Sequence, residues 1–584
     1  MYRQICLALV VAVSAPMCVG AQGLEGNWKF NYNPNGNAEQ SLAIVSLKDK
    51  SGDVVASRLA GAKFKSVTQE GSLLHVAIEG SGIEFVFEGM VPKGAVKEIP
   101  GSITFNGNAF LGSLVATEDT KLTPANSMRV LPCPPLAEAR KLAAKVTALR
   151  QNVLKTQDND KKSELLKQLE EADQLAKKET PRLYREVLEK HAESPVIFDV
   201  GLSLLRTAKT DGSKLDDVKS WSATLTKAAK AYGPSWESNI VGQVASTLVK
   251  QDAFAPLGLD YARQAERGLT DKTPASDQVR VLSIVRDALK KTGKTDEATK
   301  LDLRVNKLED ILDREYSAKM PGFKGDAFPG RKSKSDRVVF MELFTGASCP
   351  PCVAADLAFD VLQKSYKPTD LVMVQYHMHI PAPDPLTNSD TEARWAYYKG
   401  KVRGVPASLF NGSPKASGGG GAANAKSKYE AYRDVIDSLI DEDGKVKLTA
   451  KAQRDGDKID IHVKVTGLAD PGKDKKLRIL LTEETVRFVG GNRIRLHHNV
   501  VRAAPGGVAG SSLKDEASKH NVSIDIGELR GRLTKYLDNY ETNFRPFANP
   551  SRPLAMQHLR VIAFVQDDAT QEILQAIQVD VQGK

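Results

Sequence analysis

The chain has 584 residues and a formal net charge of +10, with 41% hydrophobic and 26% charged residues. This length exceeds what one hydrophobic core usually serves, so we expect roughly three to five globular domains. The basic residues are spread through segments that also carry Asp and Glu, such as Lys161–Lys178. This mixture of charges argues against nucleic acid as the partner and favours an ordinary solvated surface.

The first 21 residues have the pattern of a secretory signal peptide. A positive start at Met1–Arg3 precedes an apolar run over Ile5–Ala15, and Val19–Ala21 supplies small residues of the kind that signal peptidase cuts. The run is too short to anchor the chain in a bilayer, and no later segment reaches about eighteen apolar residues. We therefore predict cleavage after Ala21, export to the periplasm or the extracellular space, and no stable membrane insertion.

Export changes how the cysteines are interpreted. After cleavage only Cys133, Cys349 and Cys352 remain, too few to staple a chain of this size by disulfides. Cys349 and Cys352 form a C-x-x-C pair. Cys133 lies in a proline-rich stretch, and we expect it to be an exposed thiol in a linker.

Hydrophobic periodicity divides the rest of the chain into segments of different type. Residues 22–125 alternate with period two and predict an all-β domain of the meander or barrel kind, whereas 134–318 have helical spacing and predict a helical array. The stretch Ala288–Ala298 resembles the turn of a tetratricopeptide-type (TPR-like) repeat. Residues 319–337 read as a linker, 338–443 as an α/β domain, and 444–584 as a β-sandwich interrupted by a polar insertion over about 503–551.

The C-x-x-C pair lies where a predicted strand turns into a predicted helix. Val338–Phe344 is a buried-strand pattern, Cys349-Pro350-Pro351-Cys352 follows, and Val353–Tyr366 has helical spacing. Free N–H groups and the positive dipole end of a helix stabilise a thiolate in its first turn. We therefore expect Cys349, at the exposed helix start, to be the nucleophile, and Cys352, one turn in, to be the resolving thiol.

A proline entering a later strand completes the pattern. Pro406 follows Val405 just before an apolar run, which fits a cis peptide bond. The combination resembles the thioredoxin superfamily, in which a cis-proline loop lies against the C-x-x-C pair. The resemblance implies that Val405 and Pro406 bind the backbone of a protein substrate.

The chain is most similar to thioredoxin-fold proteins of the family named for outer membrane protein twenty-eight. The resemblance rests on the lead-in Glu342–Gly346, on Tyr376–His377 with Asp384–Pro385, and on Leu496–Arg502 in the following β-domain. It covers roughly Val338 to the C-terminus. It implies a thiol–disulfide oxidoreductase whose partners are protein thiols and disulfides, including a possible redox partner protein, with no cofactor.

One departure from that pattern concerns the proton acceptor. Thioredoxins usually carry a buried Asp six residues before the first cysteine, and Leu343 stands there in this chain. Glu342, one residue earlier, is the candidate to accept the Cys352 proton, the alternative being a hydrogen-bonded structural residue. Pro350 and Pro351 remove two N–H donors beside Cys349, from which we infer a less acidic Cys349 and a more reducing site.

Other interpretations stay open at this point. His377 and His379 alternate along a predicted strand and could bind copper together with the cysteines, although copper-delivery proteins of this fold use C-x-x-x-C spacing. A zinc site would need further ligands that the sequence does not offer nearby. A third alternative is a non-enzymatic envelope interaction protein. Gly418–Gly421 has no phosphate-binding residues and reads as a flexible hairpin tip.

The sequence thus predicts a multidomain exported protein with an N-terminal all-β domain, an α-helical (TPR-like) array, an α/β thioredoxin-like domain and a C-terminal β-sandwich. The candidate catalytic residues are Cys349, Cys352 and Glu342, and the candidate substrate-binding residues are Val405 and Pro406. No metal ligands are assigned.

Overall fold

The computed structural model describes residues 23–34, 36–105, 108–545, 547 and 551–583. The predicted signal peptide lies outside these residues. The chain divides into two compact units, Met1–Asp310 and Ile311–Lys584, and the division falls within one helix. Both helices and strands are present, in agreement with the multidomain prediction.

The first unit begins with a nine-stranded antiparallel sheet that curls into an open barrel. Its strands are β1 (Gly26–Asn33), β2 (Ala38–Lys48), β3 (Ser51–Ser57), β4 (Lys63–Glu70), β5 (Leu73–Gly80), β6 (Ile83–Met90), β7 (Glu98–Phe105), β8 (Asn108–Ala116) and β9 (Met128–Val130). The strand order is β3-β2-β1-β8-β7-β6-β5-β4, with β9 paired to β2. The first and last strands of this order, β3 and β4, are consecutive in the chain. Alternate residues such as Trp28, Phe30 and Phe87 fill the apolar interior of the sheet.

Helices make up the rest of the first unit. They are α1 (Pro134–Lys155), α2 (Asn159–Lys190), α3 (Val196–Thr207), α4 (Leu215–Ala229), α5 (Pro234–Val249), α6 (Ala255–Arg267), α7 (Ala275–Lys291) and α8 (Thr295–Lys319), the last of which crosses into the second unit. Their main core gathers residues such as Phe198, Trp221 and Trp236. Cys133, at the start of α1, is only 7% exposed and belongs to this core. The expected exposed linker thiol was therefore wrong, because the residue packs at the helix start.

The second unit carries two sheets. Its strands are β10 (Val339–Thr345), β11 (Leu371–His377), β12 (Ala407–Phe410), β13 (Ser413–Pro414), β14 (Lys447–Asp455), β15 (Lys458–Thr466), β16 (Gly472–Arg487), β17 (Leu496–Ala503), β18 (Ser511–Leu513), β19 (Ser518–Asp525), β20 (Leu559–Asp567), β21 (Ile573–Asp580) and β22 (Gln582–Gly583). Its further helices are α9 (Val353–Ser365), α10 (Ser389–Tyr397), α11 (Ala425–Leu439) and α12 (Ile526–Asn543).

The larger of these sheets is mixed and has the order β13-β12-β10-β11-β17-β16-β20-β21, with β18 paired to β16. It crosses the boundary predicted at 443/444, because β11 pairs with β17 in parallel. The smaller sheet has the order β19-β15-β14-β22 and shares one apolar core with β16, β20 and α12. The predicted polar insertion over 503–551 contains β18, β19 and α12.

The predicted linker over 319–337 is packed within the second unit. Phe323 and Phe328 lie against the core that α9 and α11 share with β10. Arg331 donates to the carbonyl oxygens of Arg337 and Ile440 at 2.8 Å and 2.7 Å. Proline, glycine and lysine in this segment therefore do not make it a free connection.

Among the helices that the structure describes, none has the length and apolar character needed to cross a membrane.

Candidate functional site

The site begins where β10 ends. All seven residues of Val339–Thr345 are buried, as expected for a central strand between parallel and antiparallel neighbours. After a short loop, Pro350–Cys352 forms a single 3₁₀ turn that leads into α9. Proline is tolerated in such a first turn, where its missing N–H has no intrahelical partner. Cys349 and Cys352 are joined by a disulfide in this turn, with Cα atoms 5.4 Å apart.

The two sulfur atoms are less accessible than the sequence suggested. Cys352 is 0% exposed, as expected for a resolving cysteine, but Cys349 is only 2% exposed. The expected exposed position of Cys349 was therefore wrong. The reason lies in the loops that the chain packs around the C-x-x-C turn.

The first of these loops contains Val405 and Pro406. The Val405–Pro406 peptide bond is cis, and the carbonyl oxygen of Val405 lies 3.8 Å from the Sγ atom of Cys349. The structure thus brings together four of the five residues proposed from the sequence: both cysteines, Val405 and Pro406.

The glycine-rich stretch Gly418–Gly421 also packs against the C-x-x-C turn. Gly420 donates its N–H to the carbonyl oxygen of Pro351 at 2.7 Å, and its own carbonyl accepts the N–H of Ala354 at 2.9 Å. A Cβ atom at Gly419 would overlap the Pro351 carbonyl oxygen. The predicted flexible hairpin tip is therefore wrong, because this backbone has to approach the first turn of α9 closely.

A third segment, the loop between β16 and β17, covers the residues just before Cys349. Asn492 donates its backbone N–H to the carbonyl of Ala347 at 3.0 Å and its side-chain amide to the carbonyl of Gly346 at 3.2 Å. A Cβ atom at Gly490 would overlap the Ala347 carbonyl. Asn492, 146 positions after Gly346, thus helps to fix the loop that precedes Cys349.

Glu342 lies on the other face of the sheet. Its carboxylate accepts two hydrogen bonds from Arg394, at 2.7 Å and 3.1 Å, and one from the Tyr398 hydroxyl at 2.6 Å. Alternate strand residues face opposite sides, and α9 packs on the side of Met341 and Leu343. This placement corrects the role suggested from the sequence, because the structure does not bring Glu342 to Cys352.

A buried carboxyl on the cysteine side belongs to Asp356, which was not predicted from the sequence. Asp356 follows Cys352 by four residues on α9, so the two lie on one face of the helix. Its carboxylate accepts hydrogen bonds from the Thr345 hydroxyl at 3.0 Å and the Gln375 amide at 3.3 Å. Burial raises the pKa of Asp356 to about 7, and the nearby His377 and the Thr345 hydrogen bond only partly oppose this. The four-residue spacing was the available sequence signal.

His377 and Asp384 extend this polar region under the loop that precedes Cys349. The Nδ1 atom of His377 lies 2.9 Å from Asp384, whose carboxylate also accepts the N–H of Ala347 at 2.6 Å. Burial alone would raise the pKa of Asp384, but His377 and the backbone N–H groups hold it below its usual value. The Asp384 carboxylate therefore ties the end of β11 to the loop that precedes Cys349.

The histidines do not share one ligand position. β11 ends at His377, and His379 lies beyond the strand, where it bonds Tyr536 at 3.0 Å and stacks on Tyr540. The ring of His377 meets His497 edge to face, and burial lowers the pKa of His497 to about 3. Within the described part of the chain, no group of three or more His, Cys, Asp or Glu side chains is placed to hold a metal ion.

Comparisons with known proteins give weak likenesses. No protein-family model matches the chain, and no curated protein matches it. Among solved structures, HBP35 of Porphyromonas gingivalis is similar to it with a TM-score of 0.31 and 15% identity, over 43% of this chain and 77% of that one. A kinesin light chain-like protein of Podospora anserina with TPR-like repeats is similar with a TM-score of 0.20 and 16% identity, over 31% of this chain and 95% of that one. Neither likeness is strong enough to assign a fold or a function.

Proposed function

We propose that this protein is an exported thiol–disulfide oxidoreductase that exchanges disulfides with protein substrates through Cys349 and Cys352. One observation carries the proposal: the two cysteines, separated by two prolines, are joined by a disulfide in the turn between a buried strand and a helix. A cysteine at the first turn of a helix is stabilised as a thiolate, and thiolates are the nucleophiles of disulfide exchange.

We propose further that residues 338–443 form a thioredoxin-like domain. The strand order β13-β12-β10-β11 supports this, since β10 and β11 are parallel and joined through α9, while β12 and β13 are antiparallel neighbours. The helices α9 and α11 pack together on one face of these strands. The cis bond before Pro406, facing Cys349, matches the resemblance drawn from the sequence.

The reaction uses both sulfur atoms in turn. In the reduced protein the Cys349 thiolate attacks a substrate disulfide, forms a mixed disulfide and releases one substrate thiolate. Cys352 then loses its proton and attacks the Cys349 sulfur, which restores the Cys349–Cys352 disulfide and releases the second substrate thiolate. Asp356, one helical turn from Cys352, accepts that proton. Val405 and Pro406 hold the substrate backbone beside Cys349.

The test is the exchange reaction itself, on protein made without residues 1–21. We expect reversible reduction of the Cys349–Cys352 disulfide in glutathione or dithiothreitol buffers, read by alkylation and mass spectrometry. Cys352→Ala should trap a mixed disulfide with a protein or peptide substrate, and Cys349→Ala should not. Cys133→Ala is the matched control and should exchange normally, since Cys133 belongs to the core of the first unit.

Two results would overturn the proposal. One is a disulfide that resists both buffers in the folded protein. The other is a Cys352→Ala variant that traps no partner while Cys349 reacts with small alkylating reagents.

A further inference from the structure

A stripe of four residues begins in the turn before α9 and continues along that helix. Cys352, Asp356, Asp360 and Lys364 follow each other at four-residue spacing, and such positions lie on one face of a helix. Their exposure rises along the stripe: Cys352 and Asp356 are buried, the Asp360 side chain is 12% exposed, and Lys364 is exposed. The stripe therefore runs from the buried disulfide towards solvent, on a helix whose other buried residues are mostly apolar.

The stripe reaches a cavity at Asp360. This cavity of about 370 Å³ is open on one side and is lined by Asp360, Lys364, His498 and Tyr316, among others. The Nε2 atom of His498 lies 3.5 Å from the Asp360 carboxylate. Burial raises the pKa of Asp360 well above its usual value and lowers that of His498 to about 4. Burial thus disfavours the charged form of both groups beside the cavity.

Gln375 connects the two acidic positions. Its amide nitrogen donates to Asp356 at 3.3 Å, and its amide oxygen accepts the backbone N–H of His498 at 3.0 Å. The side chain of Gln375 is 1% exposed. Gln375 therefore fixes Asp356 relative to β17, the strand whose His498 lies beside Asp360.

We propose that this stripe is the proton path of the redox site, leading from Cys352 through Asp356 and Asp360 to water in the cavity. The inference rests on the proposed function. When Cys352 attacks the mixed disulfide, its S–H proton moves to the Asp356 carboxylate as the Cys349–Cys352 bond forms and the substrate thiolate leaves. Asp360 takes this proton from Asp356 and passes it to cavity water. In the reverse direction the same groups return a proton to the Cys352 thiolate.

The groups that surround the two carboxyls come from several elements. Those facing Asp356 are Thr345 of β10, Gln375 and His377 of β11, Asp384 after β11, and Tyr432 of α11. Those facing Asp360 are Asp356 and Lys364 of α9, His498 of β17 and Tyr316 of α8. Across the same cavity Glu484 and Arg560 pair at 2.7 Å. The acid that carries the path outward is therefore Asp360, because Glu484 has a cationic partner of its own.

One absorbance trace separates the attack by Cys349 from the resolution by Cys352. Reduced Cys133→Ala protein without residues 1–21 is mixed with a chromogenic aromatic disulfide, dithiobis-nitrobenzoate, which releases one coloured thiolate when Cys349 attacks and a second when Cys352 resolves. We expect Asp360→Asn to leave the first phase unchanged and to slow the second at least about tenfold. Asp434→Asn, an exposed acid on α11, is the matched control and should behave as the parent.

Rescue by small buffers distinguishes a proton path from a structural role. Formate or imidazole should enter the cavity and speed the second phase of Asp360→Asn in proportion to concentration, with no effect on the parent. Asp360→Glu should retain most of the rate. An unchanged second phase in Asp360→Asn, or a slow one that neither buffers nor Asp360→Glu restores, would overturn the path. If the parent released no second thiolate at all, the proposed function itself would fail.

Discussion

A buried carboxyl lies on each face of β10, and the two carboxyls have different hydrogen-bond partners. On one face Glu342 is 0% exposed and is closed off by Arg394, Tyr398 and a wider network in which Gln566 accepts from Arg394 at 2.9 Å. On the other face Asp356 accepts hydrogen bonds from two neutral groups, the Thr345 hydroxyl and the Gln375 amide.

The difference lies in the charge of the partner. A buried acid paired with arginine fixes the structure, because removing either partner leaves an uncompensated buried charge. Asp356 accepts its hydrogen bonds from neutral donors and has a pKa of about 7, which suits it to proton transfer near neutral pH. The cysteines lie on the second face, with the acid that can exchange its proton.

The largest effect on stability is expected from Arg394→Met, which tests this comparison. It leaves Glu342 buried without its cation, so we expect the second unit to lose about 3–5 kcal/mol of unfolding free energy. Chemical denaturation followed by circular dichroism measures this loss. The double variant Arg394→Met with Glu342→Leu should recover much of it, since no lone charge remains. A loss below about 1 kcal/mol in the single variant would show that the ion pair is not structural.

Asp356→Asn should change the free energy of unfolding in the opposite direction, towards greater stability. The folded-state pKa of about 7 lies above the usual 3.8, so the folded protein holds a proton that the unfolded chain releases. The protonated form contributes stability at low pH that is lost as pH rises through about 7. We therefore expect Asp356→Asn to gain roughly 1–3 kcal/mol over wild type between pH 5 and pH 8, by denaturation at both values. No pH-dependent gain would mean that Asp356 does not titrate in this range.

The buried imidazole of His497 should make the same face sensitive to acid. Its folded-state pKa of about 3 lies below the usual 6.5, because burial, and then His377, disfavour its charged form. Its contribution to stability is present above about 6.5 and is lost as pH falls towards about 3. Between pH 6.5 and pH 5 we expect wild type to lose roughly 1–2 kcal/mol more than His497→Gln. Equal acid sensitivity in the two proteins would contradict this.

The smallest expected effect comes from Thr345→Val, a nearly isosteric change. The Thr345 hydroxyl donates to Asp356 and lowers the pKa of that carboxyl, so its removal should raise the pKa further. We expect the midpoint of the pH dependence of Cys352 resolution to move upward by less than about one pH unit. The two-phase thiolate release measures this midpoint. A downward shift would show that the hydroxyl does not stabilise the charged form.

Much of the site could be predicted because its signals are local. The apolar run of β10, the C-P-P-C turn and the helical spacing of α9 are adjacent in the chain. The proline at 406 was also marked by its own neighbours. The burial of Cys349 could not be predicted, because Gly420 and Asn492 come from loops far along the chain. The role first given to Glu342 failed for a related reason, since its partners Arg394 and Tyr398 are 52 and 56 residues away.

By itself, the sequence determined the elements at the site and the four-residue spacing of Cys352, Asp356, Asp360 and Lys364, because these follow from periodicity within one strand and one helix. Only the tertiary structure decided which face of β10 meets the cysteines, which carboxyl receives an arginine and which receives neutral donors. Those choices depend on contacts between distant segments, such as β11 with β17 and Arg394 with Gln566. Burial and charge pairing set the pKa of an acid, and neither can be read from its immediate neighbours in the chain.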